Sequence, residues 1–248
     1  MFKNIFRNIG FAIMTSRSED ILRSSEKDLN HLFDFILKSR GIDPINSKSQ
    51  LKQDIFVLLE KDFKSNGFFV EFGATDGICL SNTYILEKKF NWNGILAEPG
   101  RQWHKDLKNN RSASIEENCV WSKSGEIIDF MELDDGEFST IKEFSDIDDH
   151  KRSAMKFTKH KVETISLEDM LVKHGAPSKI DYLSIDTEGS EYDILKEFDF
   201  QKYDISVITC EHNFTDSRED LFKLLSSNGY ERKYTGASKF DDWYVKNV

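Results

Sequence analysis

The chain has 248 residues, 38% hydrophobic and 31% charged, with a formal net charge of −10. These values fit one α/β domain with at most a small appendage, large enough to bury a core without staples. The acidic balance argues against sequence-independent nucleic-acid binding, which needs clustered Lys and Arg against phosphate, and suits a cytoplasmic enzyme with a small or neutral partner.

The first 18 residues, "MFKNIFRNIGFAIMTSRS", carry Lys3 and Arg7 ahead of the short apolar run Ile9–Met14. They read poorly as a signal peptide, because Gly10 interrupts the run and no A-x-A-like site follows. A short helix or arm packed on the domain is expected. The alternative is weak membrane-surface contact through Phe2, Ile5, Phe6 and Ile9. No apolar run of about 18 residues occurs, so no transmembrane helix is expected. The cysteines, Cys79, Cys119 and Cys210, are odd in number and unpatterned. They predict neither a disulfide framework nor a zinc site, and point to a reducing compartment.

Residues 19–40 place Leu29, Leu32, Phe33, Ile36 and Leu37 at helical spacing, with Gly41 as the stop. A second helix follows in "SQLKQDIFVLLEKDFKSNG", with Ile55, Leu58, Leu59 and Phe63 on one face. The period then changes. "FFVEFGA" reads as a buried strand ending at glycine, "LSNTYILEKKF" as a helix capped by Ser81, and "GILAEP" as a second strand closed by Pro99. "SASIEENCVW" is a third strand candidate, and "GEIIDFMEL" an antiparallel addition after a Ser124-Gly125 turn. Residues 134–160 are polar, highly charged and weakly periodic, which predicts a mobile excursion. Beyond it come the strand "KVETISL", a helix capped by Ser166 and stopped by Gly175, the buried strand "IDYLSID", and the helix "GSEYDILKEF". The buried strand "DISVITCEHN", a helix opened by Thr215 or Asp216, and a closing hairpin complete the chain. This alternation predicts a mostly parallel, doubly wound sheet with helices on both faces and a C-terminal antiparallel hairpin.

In such sheets ligands bind at the carboxyl ends of the strands. The first strand ends in "EFGATDG": Gly73 and Gly77 permit close backbone approach, Glu71 suits a cationic group, and Asp76 can reach polar ligand atoms. The spacing is not the G-x-G-x-x-G of dinucleotide folds. Glu98, at the second strand end, can accept two hydrogen bonds from ribose hydroxyls, or simply close a turn before Pro99. Asn118, Cys119 and Val120 are candidates for an adenine-facing wall, although Cys119 also reads as core. In "SIDTEGSE" the acids Asp186, Glu188 and Glu191 crowd around Gly189, which is costly unless cations or donors meet them. Glu191 also reads as an exposed acid at a helix N-terminus. Finally, Glu211, His212 and Asn213 set an acid, a possible base and an amide side by side.

Four stretches together resemble the FkbM family of S-adenosylmethionine-dependent methyltransferases: "SQLKQDIF" (49–56), "FFVEFGATDGICLSNTYILEKKFNWNGILAEP" (68–99), "IDYLSIDTEGSEYDIL" (180–195) and "CEHN" (210–213). The resemblance covers residues 49–248 and leaves residues 1–48 as an N-terminal helical extension. It implies a Rossmann-like methyltransferase sheet and methyl transfer to oxygen, often a sugar hydroxyl of a glycan or nucleotide sugar. It also implies that Glu71, Gly73, Ala74 and Gly77 form the cofactor loop and that Ser81 and Asn82 lie near the methionine end of the cofactor. Glu98 would hold the ribose, and Gln53 and Asp54 would cover cofactor or substrate. A sugar hydroxyl is a weak acid, so the reaction needs a base or a metal. His212 is the best side-chain base by its ordinary pKa. The alternative is Mg or Mn held by Asp186, Glu211 and His212, a set similar to that of catechol-type O-methyltransferases. The rival readings are an NAD-type oxidoreductase and a non-catalytic, partner-binding protein on a methyltransferase scaffold.

Overall fold

The computed structural model describes residues 31–133, 140–141, 156–236 and 238–247. The arm expected at residues 1–18, the first part of the 19–40 helix and most of the 134–160 excursion lie outside the described residues.

Helix α1 covers residues 31–39. It buries Phe33, Ile36 and Leu37 in the same apolar cluster as the sheet, so this segment is integrated with the core. Helix α2 (Gln53–Glu60) buries every residue from Gln53 to Leu58, not one stripe. It lies against the sheet and another helix, and Phe56 stacks on Trp243 at 4.8 Å between ring centroids.

The central unit then repeats strand and helix: β1 (Phe68–Phe72), α3 (Tyr84–Phe90), β2 (Asn93–Ala97), α4 (His104–Asn110) and β3 (Ser114–Glu116). Four strands follow, β4 (Cys119–Trp121), β5 (Ile127–Leu133), β6 (Thr140–Ile141) and β7 (Phe157–Ser166). The alternation resumes with α5 (Leu167–Lys173), β8 (Lys179–Ile185), α6 (Glu191–Leu195), β9 (Asp204–Glu211) and α7 (Ser217–Ser227). The hairpin β10 (Tyr230–Lys233) and β11 (Asp241–Lys246) closes the chain. The main sheet has seven strands in the order β10-β11-β9-β8-β1-β2-β3. All its pairings are parallel except those of β11, which is antiparallel to β9 and β10.

Strand alternation explains the two apolar layers. Val70, Phe72 and Leu183 point to one face, with Leu171, Ile194 and Leu225 of the helices. Phe69, Leu96 and Tyr182 point to the other, under α1, α2 and α3. The chain leaves β1 towards β2 on one side and enters β8 on the other. Their carboxyl ends therefore flank the crevice where such sheets take ligands.

Three local expectations change. The single strand expected over "SASIEENCVW" is two. Glu116 turns the chain by accepting Asn118 N–H at 3.0 Å, and its carboxylate is pinned by Lys173 Nζ at 2.8 Å and His174 Nε2 at 3.0 Å. The chain then enters a second, four-stranded sheet in the order β4-β7-β5-β6. The last residues of the expected excursion, Phe157 to His160, pair with β5 as the start of the ten-residue β7. Ser81 does not cap α3, which begins at Tyr84, because its hydroxyl is committed to Glu71. Ser166 does cap α5, accepting Asp169 N–H at 3.1 Å. Among the described residues, no helix is long and apolar enough to cross a membrane.

Candidate active site

A cleft of about 910 Å³, counting the part open to solvent, lies over the carboxyl ends of β1, β2 and β8 and beside β4. Gly73 makes the corner after β1. Its φ is +70°, and a Cβ there would lie 2.4 Å from the Asp186 carbonyl oxygen. Only glycine lets this corner pass so close to the loop after β8.

Glu71 lines the cleft but is only 3% exposed, and its carboxylate is engaged by the protein itself. It accepts Asn82 N–H at 2.6 Å, Ser81 Oγ at 3.0 Å and the Thr83 hydroxyl. Arg111 Nη1 stands 3.7 Å away. Arg111 is itself buried and is held by Glu87 at 2.8 Å, the Gly77 carbonyl at 3.0 Å and Thr83 Oγ1 at 2.8 Å. No local pattern marks this guanidinium, which comes from the end of α4, about forty residues after Glu71. Gly77 leaves room for it: a Cβ there would meet Arg111 Cγ at 2.5 Å. Ser81, Ala74 and Gly77 thus stand behind the cleft wall. Asp76 accepts Ile78 and Cys79 N–H at 2.8 and 2.7 Å, which closes its own turn.

Glu98 lies across the cleft, 4% exposed, followed by Pro99 in the wall. It accepts Thr75 N–H at 2.8 Å and Gly100 N–H at 2.7 Å. Burial, with Glu132 and Asp186 nearby, pushes its carboxyl up to about 7, and those two backbone bonds oppose the rise. Cys119 and Val120 form the wall beside it together with Phe130 of β5, which sequence reading missed. Burial drives the Cys119 thiol up to about 12, so it behaves as an apolar wall group and not as a thiolate. Asn118 is not in this wall; its N–H turns back to Glu116.

At the other end, the carboxylates of Asp186, Glu188 and Glu211 bring oxygen atoms within 4.8 Å of one another. Glu188 reaches this position from a left-handed backbone, φ +60°. Among the described residues, Glu211 Oε2 is buried without a hydrogen-bond partner. Burial and the neighbouring Asp186 and Glu188 hold the Glu211 carboxyl well above the usual carboxylate range. Glu191 is not the exposed acid expected from the sequence. It is 5% exposed and ties the loop by accepting Thr187 N–H, Thr187 Oγ1 and Gly189 N–H, each at 3.0 Å.

His212 does not join this cluster. It follows Glu211 directly, so strand alternation sends its ring to the opposite face. There Nδ1 accepts Phe214 N–H at 3.0 Å and Nε2 faces Asp242 Oδ1 at 3.8 Å. Asp242 is already paired with Arg218 at 2.8 Å and Arg232 at 3.1 Å. Burial, reinforced by the two arginines and opposed by Asp242, lowers His212 to about 4. His212 is therefore not brought to Asp186 and Glu211 as the sequence led one to expect, and Glu188 stands beside them instead.

Asn82 bridges the two ends, accepting Ser49 Oγ at 2.7 Å and donating to Ser184 Oγ at 2.9 Å. Gln53 enters a side pocket next to Asp186, where its Nε2 donates to Asp241 Oδ2 at 3.0 Å. Asp54 points away, to Ser47 Oγ at 3.0 Å, and burial raises its carboxyl to about 7.

The sheet order with its reversed strand β11, the glycine corner after β1 and the acids after β2 and β8 define a Rossmann-like methyltransferase fold. The chain belongs to the FkbM methyltransferase family, since the model of the methyltransferase FkbM domain matches residues 71–232. Membership implies an enzyme that uses S-adenosylmethionine. Among solved structures, the chain is similar to precorrin-6y C5,15-methyltransferase from Geobacter metallireducens GS-15. The identity is 12% and the TM-score 0.38, over 73% of this chain and 71% of that one. A search of curated proteins found no match.

Proposed function

We propose that the protein is an S-adenosylmethionine-dependent O-methyltransferase whose acceptor is a sugar hydroxyl of a glycan or nucleotide sugar. The observation that carries this reading is one cleft with two chemically distinct ends. Glu98 stands beside an apolar wall at one end, and at the other Asp186 and Glu188 meet Glu211 of the adjoining side pocket.

Glu98 accepts the ribose hydroxyls, Cys119, Val120 and Phe130 pack against the adenine, and Asn82 and the Gly73 corner flank the methionine end. When bound, the cofactor supplies an electrophilic methyl group on a positively charged sulfur. What remains for the protein is to align an acceptor oxygen in line with that group and to remove its proton. His212, buried on the opposite face, is assigned no step. The acidic end suits a divalent cation on chemical grounds. It offers carboxylate oxygens only, and Glu211 Oε2 is a buried acceptor with no donor. Such a hard, all-oxygen set fits Mg or Mn. Asp186, Glu188 and Glu211 would hold the ion, and the ion would acidify and orient the hydroxyl.

Calorimetry with S-adenosylhomocysteine and with NAD, followed by a methyl-transfer screen over nucleotide sugars and free glycans, tests the proposal. Binding of S-adenosylhomocysteine alone and a methylated hydroxyl in the product are expected. Binding of NAD instead would sink it. Cofactor binding with no transfer to any acceptor offered would favour the non-catalytic, partner-binding reading.

A further inference from the structure

The side pocket beside Asp186 shares Asn82 and Asp186 with the cleft described above, but Gln50, Thr209 and Asp241 in its lining have no role there. Its walls come from three separate elements: Gln50 and Gln53 at the start of α2, Thr209 and Glu211 on β9, and Asp241 opening β11. Leu80, Asn82 and Asp186 line both this pocket and the main cleft, so the two spaces meet at the acidic end.

Asp241 is 3% exposed. Its Oδ2 accepts Gln53 Nε2 at 3.0 Å and Trp243 Nε1 at 2.9 Å, but Oδ1 has no hydrogen-bond partner. Directly opposite it in the strand register is Glu211, whose Oε2 is likewise buried and unpartnered. Buried polar atoms without partners are costly, and native proteins keep few of them. Burial holds the Asp241 carboxyl well above the usual carboxylate range, so its open oxygen suits a group that can accept as well as donate, and a ligand hydroxyl does both.

The lining also limits the ligand. It contains no Lys or Arg, so a phosphate or carboxylate would meet only repulsion from the acids. Gln50, exposed at the rim, offers donors as well as an acceptor. A hydroxyl both donates and accepts and matches this mixture, whereas an ammonium group can use only the acceptors.

We propose that this pocket is the acceptor subsite, taking the hydroxyl-bearing edge of a neutral pyranoside, with Asp241 Oδ1 hydrogen-bonded to one ring hydroxyl. The proposal rests on the methyltransferase reading. It places the ring beside Asp186, with a second hydroxyl free to face the methyl group in the main cleft. Asp241 is then a positioning and specificity residue for the acceptor and has no contact with the cofactor.

The test uses the full chain loaded with S-adenosylhomocysteine. Saturation-transfer NMR is recorded with methyl α-D-mannopyranoside, methyl α-D-galactopyranoside and n-propylamine, on the wild type, Asp241→Ala and Gln50→Ala. Calorimetry measures S-adenosylhomocysteine affinity in parallel. Pyranoside binding in the wild type, at least about tenfold weaker in Asp241→Ala and reduced in Gln50→Ala with cofactor affinity unchanged, is the expected result. Equal pyranoside binding in both variants, none in the wild type, or preferential binding of propylamine overturns the subsite. If Asp241→Ala does not fold, Gln50→Ala at the exposed rim decides alone, and unchanged binding there overturns the proposal. A wild-type chain that fails to bind S-adenosylhomocysteine breaks the methyltransferase reading itself, which separates the two failures.

Discussion

Glu71 and Glu211 are both glutamates at or near the carboxyl end of a parallel strand, Glu71 lining the main cleft and Glu211 the side pocket that joins it. Their surroundings are opposite. Glu71 accepts from a backbone N–H and two hydroxyls and has the buried Arg111 guanidinium at 3.7 Å. Glu211 stands among Asp186 and Glu188 with one oxygen unpartnered, and Asp241 beside it has another. The β1 side of the cleft is complete as folded. The β8–β9–β11 side holds acceptors that the fold does not satisfy. Buried carboxylates with matched donors hold a structure together, while those without them carry an uncompensated cost, which the proposed cation and hydroxyl would relieve.

The largest expected effect breaks the satisfied side. Glu71→Ala removes one of the two carboxylates beside the buried Arg111, together with the acceptor of Asn82 N–H and of the Ser81 and Thr83 hydroxyls, and should destabilise the protein by about 3–5 kcal/mol in urea denaturation. A loss below about 1 kcal/mol would mean that Glu71 serves a ligand more than the fold. Next comes His212, which belongs to neither side of the cleft. The folded state holds it to about 4 against an ordinary 6.5. The unfolded chain therefore binds the proton first, and stability is lost as pH falls from about 6.5 to about 4, by about 3 kcal/mol in full. His212→Gln should flatten that part of the melting-temperature profile and leave S-adenosylhomocysteine affinity unchanged. A tenfold loss of affinity would return the residue to the site.

Glu98 lies between the two extremes, with two backbone donors and a carboxyl raised from 4.5 to about 7. Ionising it in the free protein is unfavourable, so it lowers stability as pH rises through that window. Ribose hydroxyls favour the ionised form, so S-adenosylhomocysteine should bind more tightly as pH rises through about 7. Glu98→Gln should cost about 1.5–3 kcal/mol of that affinity and remove the pH dependence, both read by calorimetry. The smallest effect sharpens the unsatisfied side. Mn²⁺ should bind the wild type and bind Glu211→Gln at least about tenfold more weakly, measured by the free-ion EPR signal. Equal binding would remove the cation from the acidic end.

Much of this was legible along the chain. The change of period at Phe68 and the glycines that end helices and strands gave the alternating elements. The resemblance gave the cleft's two poles, Glu98 and the acids around Gly189. What was misread has specific causes. "EH" at 211–212 looks like an acid beside a base, yet on a strand neighbours face opposite ways, a rule the sequence itself could have supplied. The run "SASIEENCVW" has continuous strand character, and its division depends on Lys173 and His174 reaching Glu116 from a helix over fifty residues later. Arg111, Phe130 and Asp241 carry no local signal, since each reaches its place only when a distant element docks.

The sequence by itself determined the elements, their order and the polar strand ends, because period, turn chemistry and glycine geometry act over a few residues. Only the tertiary structure decided which acids are answered. Whether Glu71 meets Arg111, or Glu211 meets nothing but other carboxylates, depends on segments far apart in the chain being packed within a few ångströms. The energy of a buried charge is fixed by that short-range company and by the water removed around it.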